Sequence, residues 1–194
     1  ISEDILIDFT PELRAEAVKI ISEFETGPLF SPPSLKGTAV LPSDGGAANW
    51  TGAAVDPTSA TIYIPSMTLP AMFKLGELDL KETEYRYERS AMTFLGGPEG
   101  FPLIKPPYGR ITAIDLNTGE HSWMVPNGEG PRQKLIAAGI KDPGPVGNQG
   151  FTHVLVTKSL LFTTLIDNGK PVLRALDKTN GALVQEVSLP AVPN

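Results

Sequence analysis

Cysteine is absent from this chain of 194 residues. Its absence excludes disulfide bonds, cysteine-ligated zinc and thiol catalysis within the chain. It does not identify the redox compartment, because a secreted bacterial protein can also lack cysteine. Only two histidines occur, His121 and His153, and neither has a second ligand at metal-binding spacing. The sequence therefore predicts no zinc site.

Long apolar runs and basic clusters are missing as well. Without a run of about 18 apolar residues, no segment is predicted to span a membrane. The 16 basic and 22 acidic residues give a net charge of -6, and no Lys/Arg cluster offers a surface for neutralising nucleic-acid phosphates. The sequence also lacks a Gly-x-Ser-x-Gly elbow, a P-loop and a Gly-x-Gly-x-x-Gly run, so serine-hydrolase and nucleotide-binding functions have no support.

Glycine and proline are abundant, with 19 residues of each. Both fractions are well above the usual composition of about 7% and 5%, which favours many short strands joined by turns over a helical bundle. The first residue is Ile1 rather than methionine. We expect the chain to be a processed or excised piece of a longer protein.

One helix is predicted near the N-terminus. Thr10 can cap it, and Pro11 suits the first helical position, where no amide proton is needed. Gly27 is the predicted stop. Apolar residues then fall on one helical face, namely Leu13, Ala17, Ile20, Ile21 and Phe24.

The remaining pattern is typical of short β-strands, rich in β-branched residues and bounded by turn formers. A charged and Gly/Pro-rich segment, about residues 67–107, interrupts it and is predicted to be a long insertion without strands. A second Gly/Pro stretch, residues 126–150, can hold one short helical turn. The predicted strands are Thr61–Ser66, Arg110–Asp115, His121–Val125, Val154–Thr157, Leu160–Leu165, Val172–Leu176 and Ala182–Val187.

A seven-residue pattern recurs along the chain. The copies are AIDLNTG at residues 113–119, ALDKTNG at 175–181 and the weaker AVDPTSA at 54–60. The aspartate can accept amide protons of its own turn, and the final glycine supplies the positive φ of a hairpin. Such hairpins occur in many β proteins, but Trp123 at a fixed offset after the first copy favours sheet-like blades that dock on one another. At about 40–60 residues a blade, the chain provides three or four blades.

Several motifs resemble those of the quinoprotein dehydrogenases that use pyrroloquinoline quinone (PQQ), and most closely the membrane-associated glucose dehydrogenase type. The resemblance extends from about Phe9 to Pro190. It rests on GPLFSPPSLKG at 27–37, GGAANW at 45–50, Asp56-Pro57, KPPYGRITAIDLNTG at 105–119 with Trp123, Gly147-Asn148, and LVTKSLLF at 155–162.

This resemblance implies an all-β fold, a partial β-propeller of about three to four four-stranded antiparallel blades from an eight-bladed ring, with one N-terminal helix and a long insertion. The whole of residues 1–194 would be a C-terminal part of that ring. Relatives of this type hold PQQ and calcium near the axis and oxidise sugars or alcohols. The family's catalytic aspartate and calcium ligands match nothing in this chain, so no catalytic or metal-binding residue is predicted.

Three cofactor-binding residues are carried over from the resemblance. Asn49 matches the family asparagine that hydrogen-bonds the quinone, a task that suits an uncharged donor and acceptor. Phe162 lies where relatives place an aromatic residue near the cofactor, although a strand phenylalanine is more often core. Trp50 is predicted either as a pocket wall or as a core residue.

The sequence departs from the family pattern at two positions, and each departure predicts a local change in structure. Gln185 stands where the last copy of the repeat should have tryptophan, which should loosen that seam between blades. Ala60 replaces the usual glycine after Asp56, so the corresponding turn is expected to differ.

The sequence therefore predicts part of a PQQ-dependent dehydrogenase that acts on an aldose sugar or alcohol and reduces ubiquinone or a cytochrome. A periplasmic location follows from the same resemblance, with attachment to the inner membrane through a segment outside this chain. We expect no turnover from the chain alone. Its open sheet edges predict either a homodimer or an unusual covering of those edges. The alternative is a non-catalytic propeller that serves as an assembly scaffold.

Overall fold

A computed structural model describes residues 1–191. These residues form two compact units, one comprising Ile1–Gly45 with Leu69–Lys105 and the other Gly46–Thr68 with the chain from Pro106 onward. The elements in chain order are α1 (Pro11–Ser22), β1 (Thr38–Val40), β2 (Ala54–Asp56), β3 (Thr61–Met67), β4 (Ala71–Glu77), β5 (Tyr87–Phe94), β6 (Gly109–Asp115), β7 (His121–Pro126), α2 (Arg132–Ala137), β8 (His153–Val156), β9 (Leu160–Asp167), β10 (Lys170–Asp177) and β11 (Leu183–Ser188), with short 3-10 helices at Glu3–Ile5 and Pro98–Gly100.

Helix α1 begins as predicted. The Thr10 Oγ1 accepts a hydrogen bond from the Leu13 amide at 3.2 Å, and Pro11 occupies the first turn. The side chains of Leu13, Ala17 and Ile21 are buried on one face. The helix ends at Ser22 rather than at the predicted Gly27, because the chain leaves it to pair with the segment before β1 through the Glu25 amide and the Gly37 carbonyl.

The predicted insertion contains a β-hairpin that the sequence interpretation missed. Strand β4 pairs with both β1 and β5, which gives a three-stranded antiparallel sheet in the first unit. Most residues of β5 are exposed, so its sequence lacks the apolar alternation from which a strand is predicted. The prediction of a segment without strands was therefore wrong.

The second unit consists of two four-stranded antiparallel meanders. One has the order β2-β3-β6-β7 and the other β8-β9-β10-β11. All seven predicted strands are present, with ends shifted by at most two residues. Strand β3 pairs with β6 over its whole length even though residues 68–108 separate them in the sequence. The all-β class and the partial propeller are confirmed. The described residues hold two four-stranded sheets, fewer than the three or four predicted, because β1, β4 and β5 form a sheet of only three strands.

The core of this unit lies between its two sheets. Tyr63, Ile111 and Ala113 of the first sheet pack with Leu161 and Leu176 of the second, and each is at most 2% exposed. Burying a large aliphatic side chain stabilises a fold by roughly 1.5–3 kcal/mol, so this interface is a main source of the unit's stability.

The repeated turns have the predicted chemistry. In each turn the aspartate Oδ1 accepts a hydrogen bond from the amide two residues further on, at 2.7 Å for Asp115, 2.8 Å for Asp177 and 3.0 Å for Asp56. Gly119 has a φ of 77°. Ala60 also adopts a positive φ, 49°. The amides of Gly119 and Gly181 each donate to the carbonyl of their turn's aspartate at 2.8 Å, whereas the Ala60 amide makes no such bond among the described residues, so this turn differs in part, as expected.

The indole of Trp123 joins the first sheet to a turn of the second. Its Nε1 donates to the Lys178 carbonyl at 3.2 Å, and the Tyr63 hydroxyl donates to the same oxygen at 3.2 Å. A Cβ added to Gly181 would lie 2.9 Å from the indole Cε3 atom. The glycine therefore serves both the turn and the close approach of the ring.

A buried ion pair lies beside this indole. The Lys178 ammonium contacts the Asp56 carboxylate, and their side chains are 15% and 8% exposed. The hydrogen bond from Lys178, followed by that from Ser59, lowers the pKa of Asp56 from 3.8 to about 2. The pair links the Asp56 turn of one sheet to the Asp177 turn of the other.

We predict that this pair makes stability dependent on pH in the acid range. Because the pKa of Asp56 is lowered by folding, its contribution is fully present above about pH 4 and is lost as the pH falls towards about 2. Urea unfolding measures the free energy of unfolding of the wild type and of Asp56→Asn. The difference between the two should decrease as the pH falls from about 4 to about 2.

The control is Glu120→Gln, which removes an exposed carboxylate that has no ion-pair partner among residues 1–191. Its stability difference from the wild type should be small at every pH. A constant difference for Asp56→Asn down to pH 2 would contradict the prediction.

Candidate functional site

Three segments of the second unit meet at one end of its sheets. They are the segment before β2, the end of β3 and the segment before β8. In an antiparallel meander, the start of the first strand and the end of the second lie at the same end. The aspartate turns after β2, β6 and β10 lie at the opposite end, so the unit has one end for tight turns and one for longer segments.

A small hollow with a cavity volume of about 10 Å³ lies between these segments. Its lining combines amide and hydroxyl groups with one aromatic ring and small apolar side chains. This volume is far below the roughly 300–1,000 Å³ of a complete small-molecule pocket. The lining residues are Ala47, Asn49, Thr51, Pro65, Ser66, Met67, Gly150, Phe151 and Thr152.

Asn49 is the one predicted cofactor-binding residue that lines this hollow. Its Oδ1 accepts a hydrogen bond from the Trp50 amide at 2.6 Å, which orients the side-chain amide. Gly46, with a φ of 90°, places its backbone so close that an added Cβ would lie 3.1 Å from the Asn49 Nδ2. The glycine-rich run therefore shapes the loop around this amide.

The other two predicted residues lie outside the lining. The Trp50 side chain is fully exposed, so its interpretation as a core residue was wrong. Phe162 lies within β9, where it pairs with Leu155 and Ala175, and is partly buried. The cofactor-binding roles of Trp50 and Phe162 stay predictions.

Sequence reasoning missed a polar network that supports the hollow. The Asn127 Nδ2 donates to Thr152 Oγ1 at 2.8 Å, and both residues are buried. Nearby, the buried Asp167 carboxylate accepts from the amides of Glu129 and Gly130 at 2.7 and 3.2 Å. These contacts hold the long connection between β7 and β8 against the end of β9.

Arg110 was also missed, and it lies beside the hollow. Its Nε donates to Ser66 Oγ at 3.1 Å, and its Nη1 donates to Thr68 Oγ1 at 2.7 Å and to the Pro107 carbonyl at 3.0 Å. Burial lowers the pKa of Arg110. No carboxylate among residues 1–191 pairs with this guanidinium.

Residues 1–191 contain neither a metal-binding cluster nor a helix suited to crossing a membrane. No group of three or more His, Cys, Asp or Glu side chains is arranged to hold a metal ion. None of the helices in this part of the chain has the length and apolar character needed to cross a bilayer.

Comparison with known proteins gives relatives of one kind. The chain is 27% identical over 84% of its length to the quinate/shikimate dehydrogenase (quinone) of Acinetobacter baylyi. It is 29% identical over 84% of its length to the quinoprotein glucose dehydrogenase of Gluconobacter oxydans, and 33% identical over 49% of its length to that of Escherichia coli. It spans 22%, 23% and 14% of these relatives, respectively.

Solved structures support the fold. A europium-containing methanol dehydrogenase superposes with a TM-score of 0.53 at 18% identity, over 89% of this chain and 25% of the other. The quinohemoprotein alcohol dehydrogenase of Comamonas testosteroni gives 0.50 at 18% identity, over 80% and 21%. The model of the family described as glucose/ethanol/alcohol dehydrogenase, beta-propeller domain, matches residues 1–194. The chain therefore belongs to the PQQ-dependent quinoprotein dehydrogenase family.

Proposed function

We propose that the hollow around Asn49 forms one wall of the PQQ site of a dehydrogenase that oxidises a hydroxyl-bearing carbon. The substrate class we propose is a sugar or an alcohol, and the acceptor is a quinone or a cytochrome. Relatives named for glucose and for quinate or shikimate support a polyhydroxylated ring as substrate, and the word quinone in one of these names supports the acceptor. The single observation that carries the proposal is the position of Asn49 in the lining.

The lining has the right chemistry for part of such a cofactor. PQQ is a flat tricyclic quinone with oxygen atoms and carboxylates at its edge. The Asn49 amide and the hydroxyls of Thr51, Ser66 and Thr152 can donate to edge oxygens, and the Phe151 ring, 58% exposed, can contact a flat face. Because the hollow has room for only about one water-sized group, this chain contributes a few contacts to one edge of the molecule, and the remaining contacts are supplied from outside this chain.

When bound, PQQ supplies the oxidation itself by accepting electrons from the substrate carbon. The residues of this chain then bind and orient it. The Asn49 Oδ1 is held by the Trp50 amide, so the donating end of the same side chain is fixed in direction. Pro65 and Met67 form the apolar floor of the hollow and exclude water from one side of the bound edge. The base that removes the substrate proton is proposed to lie outside this chain.

The proposal also includes the docking role of Trp123 and a periplasmic location. We propose that Trp123 and the turn around Gly181 form the docking motif by which successive blades of the ring pack, supported by the 3.2 Å bond to Lys178. The periplasmic location is supported by the resemblance to membrane-associated quinoproteins. A bare assembly scaffold is less favoured, because it does not require donor groups gathered in a hollow.

The experiment is PQQ titration of the chain, followed by quenching of tryptophan fluorescence. Asn49→Ala should weaken binding about five- to ten-fold, as expected for loss of one hydrogen bond in a partly buried site. Gln185→Ala, which removes an exposed amide from β11, is the control and should bind like the wild type. Dye reduction by the wild-type chain should be absent. A wild type that does not bind PQQ, or equal affinities for wild type and Asn49→Ala, would overturn the proposal.

A further inference from the structure

Three asparagines of this chain are followed directly by glycine, namely Asn127, Asn168 and Asn180. In such a pair the glycine amide nitrogen can attack the asparagine side-chain carbonyl carbon and expel ammonia, because glycine has no side chain to obstruct the approach. Water then opens the five-membered imide to aspartate or isoaspartate. The fold determines which pair can react, since the attacking amide and the side chain under attack must both be able to move.

The Asn127 pair is enclosed. Asn127 is buried, and its Nδ2 donates to Thr152 Oγ1 at 2.8 Å. A Cβ added to Gly128 would lie 2.7 Å from the Leu165 Cδ1, so the glycine is packed as closely as the asparagine. Reaction at this pair requires the surrounding structure to open first.

The Asn180 pair is held by hydrogen bonds on both sides of the reaction. The attacking nitrogen, that of Gly181, donates to the Asp177 carbonyl at 2.8 Å. The Asn180 Oδ1 accepts from the Ala182 amide at 2.8 Å, which fixes the side chain under attack. Both bonds must break before the amide nitrogen can reach the side-chain carbon.

The Asn168 pair has neither form of protection. Asn168 and Gly169 are the two-residue turn between β9 and β10, with φ values of 48° and 77° that are typical of a type I′ hairpin. Both residues are exposed, and no atom lies within 4 Å of a Cβ added to Gly169. Among residues 1–191 the Gly169 amide has no hydrogen-bond acceptor. The Asn168 side chain makes one long bond, from Nδ2 to Asp167 Oδ1 at 3.3 Å.

The carboxylate next to Asn168 holds the connection between β7 and β8. Buried Asp167 accepts from the Glu129 and Gly130 amides at 2.7 and 3.2 Å. Conversion of Asn168 would replace a donor to Asp167 with a second negative charge, and like charges at this distance repel. Isoaspartate would also add a methylene group to the main chain of a two-residue turn, which alters its geometry. Both changes weaken the hold of Asp167 on the two amides.

We propose that Asn168 is a modification site, at which the folded chain converts spontaneously to aspartate or isoaspartate and so loosens the connection between β7 and β8. The bond from the Gly169 nitrogen to the Asn168 Cγ forms as the bond from Cγ to Nδ2 breaks. The proton of the Gly169 amide leaves with the side-chain NH₂ group as ammonia, and one water molecule is consumed when the imide opens. The side chain thereby gains one negative charge. The inference does not depend on the proposed function.

The first experiment measures conversion at the three pairs in the folded wild type. The chain is incubated at mildly alkaline pH, where more of the attacking amide is deprotonated, and its tryptic peptides are analysed by mass spectrometry. Each pair lies in a peptide of its own, and these begin at Ile111, Ser159 and Thr179. Conversion at Asn168 should be about ten-fold or more faster than at the other two pairs, as expected if each of those must first break one or two hydrogen bonds.

The chain unfolded in guanidinium chloride is the reference for this experiment, because there the three pairs should convert at similar rates. Equal rates at the three pairs in the folded chain would overturn the proposal. So would faster conversion at Asn127 or Asn180 than at Asn168. Neither result depends on whether a variant folds.

The second experiment measures hydrogen exchange at the Glu129 and Gly130 amides before and after incubation. Exchange in the converted wild type should be about ten-fold faster, as expected for loss of one hydrogen bond to a charged group. Asn168→Gly keeps a sequence suited to the turn and cannot form the imide, so incubation should leave its exchange unchanged. Asn168→Asp adds the charge without the extra methylene and should show part of the increase from the start. Unchanged exchange at both amides in fully converted protein would show that modification does not loosen the connection, and the proposal would be wrong.

Discussion

Replacing Gly109 with alanine should destabilise the second unit by about 3 kcal/mol or more. A Cβ added to Gly109 would lie 1.9 Å from the Asn148 carbonyl oxygen, well inside van der Waals contact. The clash is with backbone, so no side-chain rotation relieves it. The two chain segments must separate.

Neighbouring hydrogen bonds prevent an easy separation. The Asn148 amide donates to the Asn127 carbonyl at 2.8 Å, and the Asn127 amide donates to the Gly109 carbonyl at 2.9 Å. Moving Asn148 away from an alanine at 109 stretches the first of these bonds, or the second if Asn127 moves with it. The same segment continues into Gly150, Phe151 and Thr152, which line the hollow. The variant should therefore lose ligand binding together with stability.

Urea unfolding followed by far-UV circular dichroism measures the effect, with Gly150→Ala as the control. Gly150 does not have a positive φ, and the nearest atom to a Cβ there is the Asn148 Nδ2 at 3.9 Å. The control should lie within about 0.5 kcal/mol of the wild type. Equal unfolding midpoints for the two variants would show that β6 and the Asn148 segment do not approach this closely in solution.

The features predicted from sequence are those whose cause is local. The aspartate turns depend on a side chain and an amide two residues apart, and helix α1 depends on Thr10 three residues before the amide it caps. The seven strands carry β-branched residues between turn formers. Asn49 was predicted only through the family motif GGAANW. Its own segment does not indicate at which end of the sheets its side chain lies, so local sequence reasoning could not have found it.

The features that were missed depend on distant partners. Asp167 reaches the Glu129 and Gly130 amides across 38 and 37 residues, so its role is not visible in either segment alone. In the sequence, Arg110 is an ordinary residue of a predicted strand. That its guanidinium contacts neutral oxygens of Ser66 and Thr68 and no carboxylate becomes apparent only in the folded chain. Strand β5 is held by pairing with β4 rather than by burial of its own side chains, which leaves no apolar period to detect.

The contact of Trp123 with the second sheet leads to the other prediction with a large effect. Trp123→Ala should destabilise the second unit by about 3 kcal/mol, because it removes a partly buried ring and leaves the space it filled. The ring lies 5.8 Å from that of Tyr63 and packs on Gly181, so its loss exposes both. Only one of the two hydrogen bonds to the Lys178 carbonyl would remain.

Two further variants divide this effect into ring packing and hydrogen bonding. Trp123→Phe keeps an aromatic ring but removes the N–H donor, and should cost about 1–2 kcal/mol. Trp50→Ala is the matched control, since the chain's only other indole is fully exposed, and should change stability by less than about 0.5 kcal/mol. Unfolding is followed by circular dichroism and by hydrogen exchange of the β9 and β10 amides. If Trp123→Ala were as stable as Trp50→Ala, the two sheets would be held by the aliphatic core alone, and the proposed docking role of the repeat would be wrong.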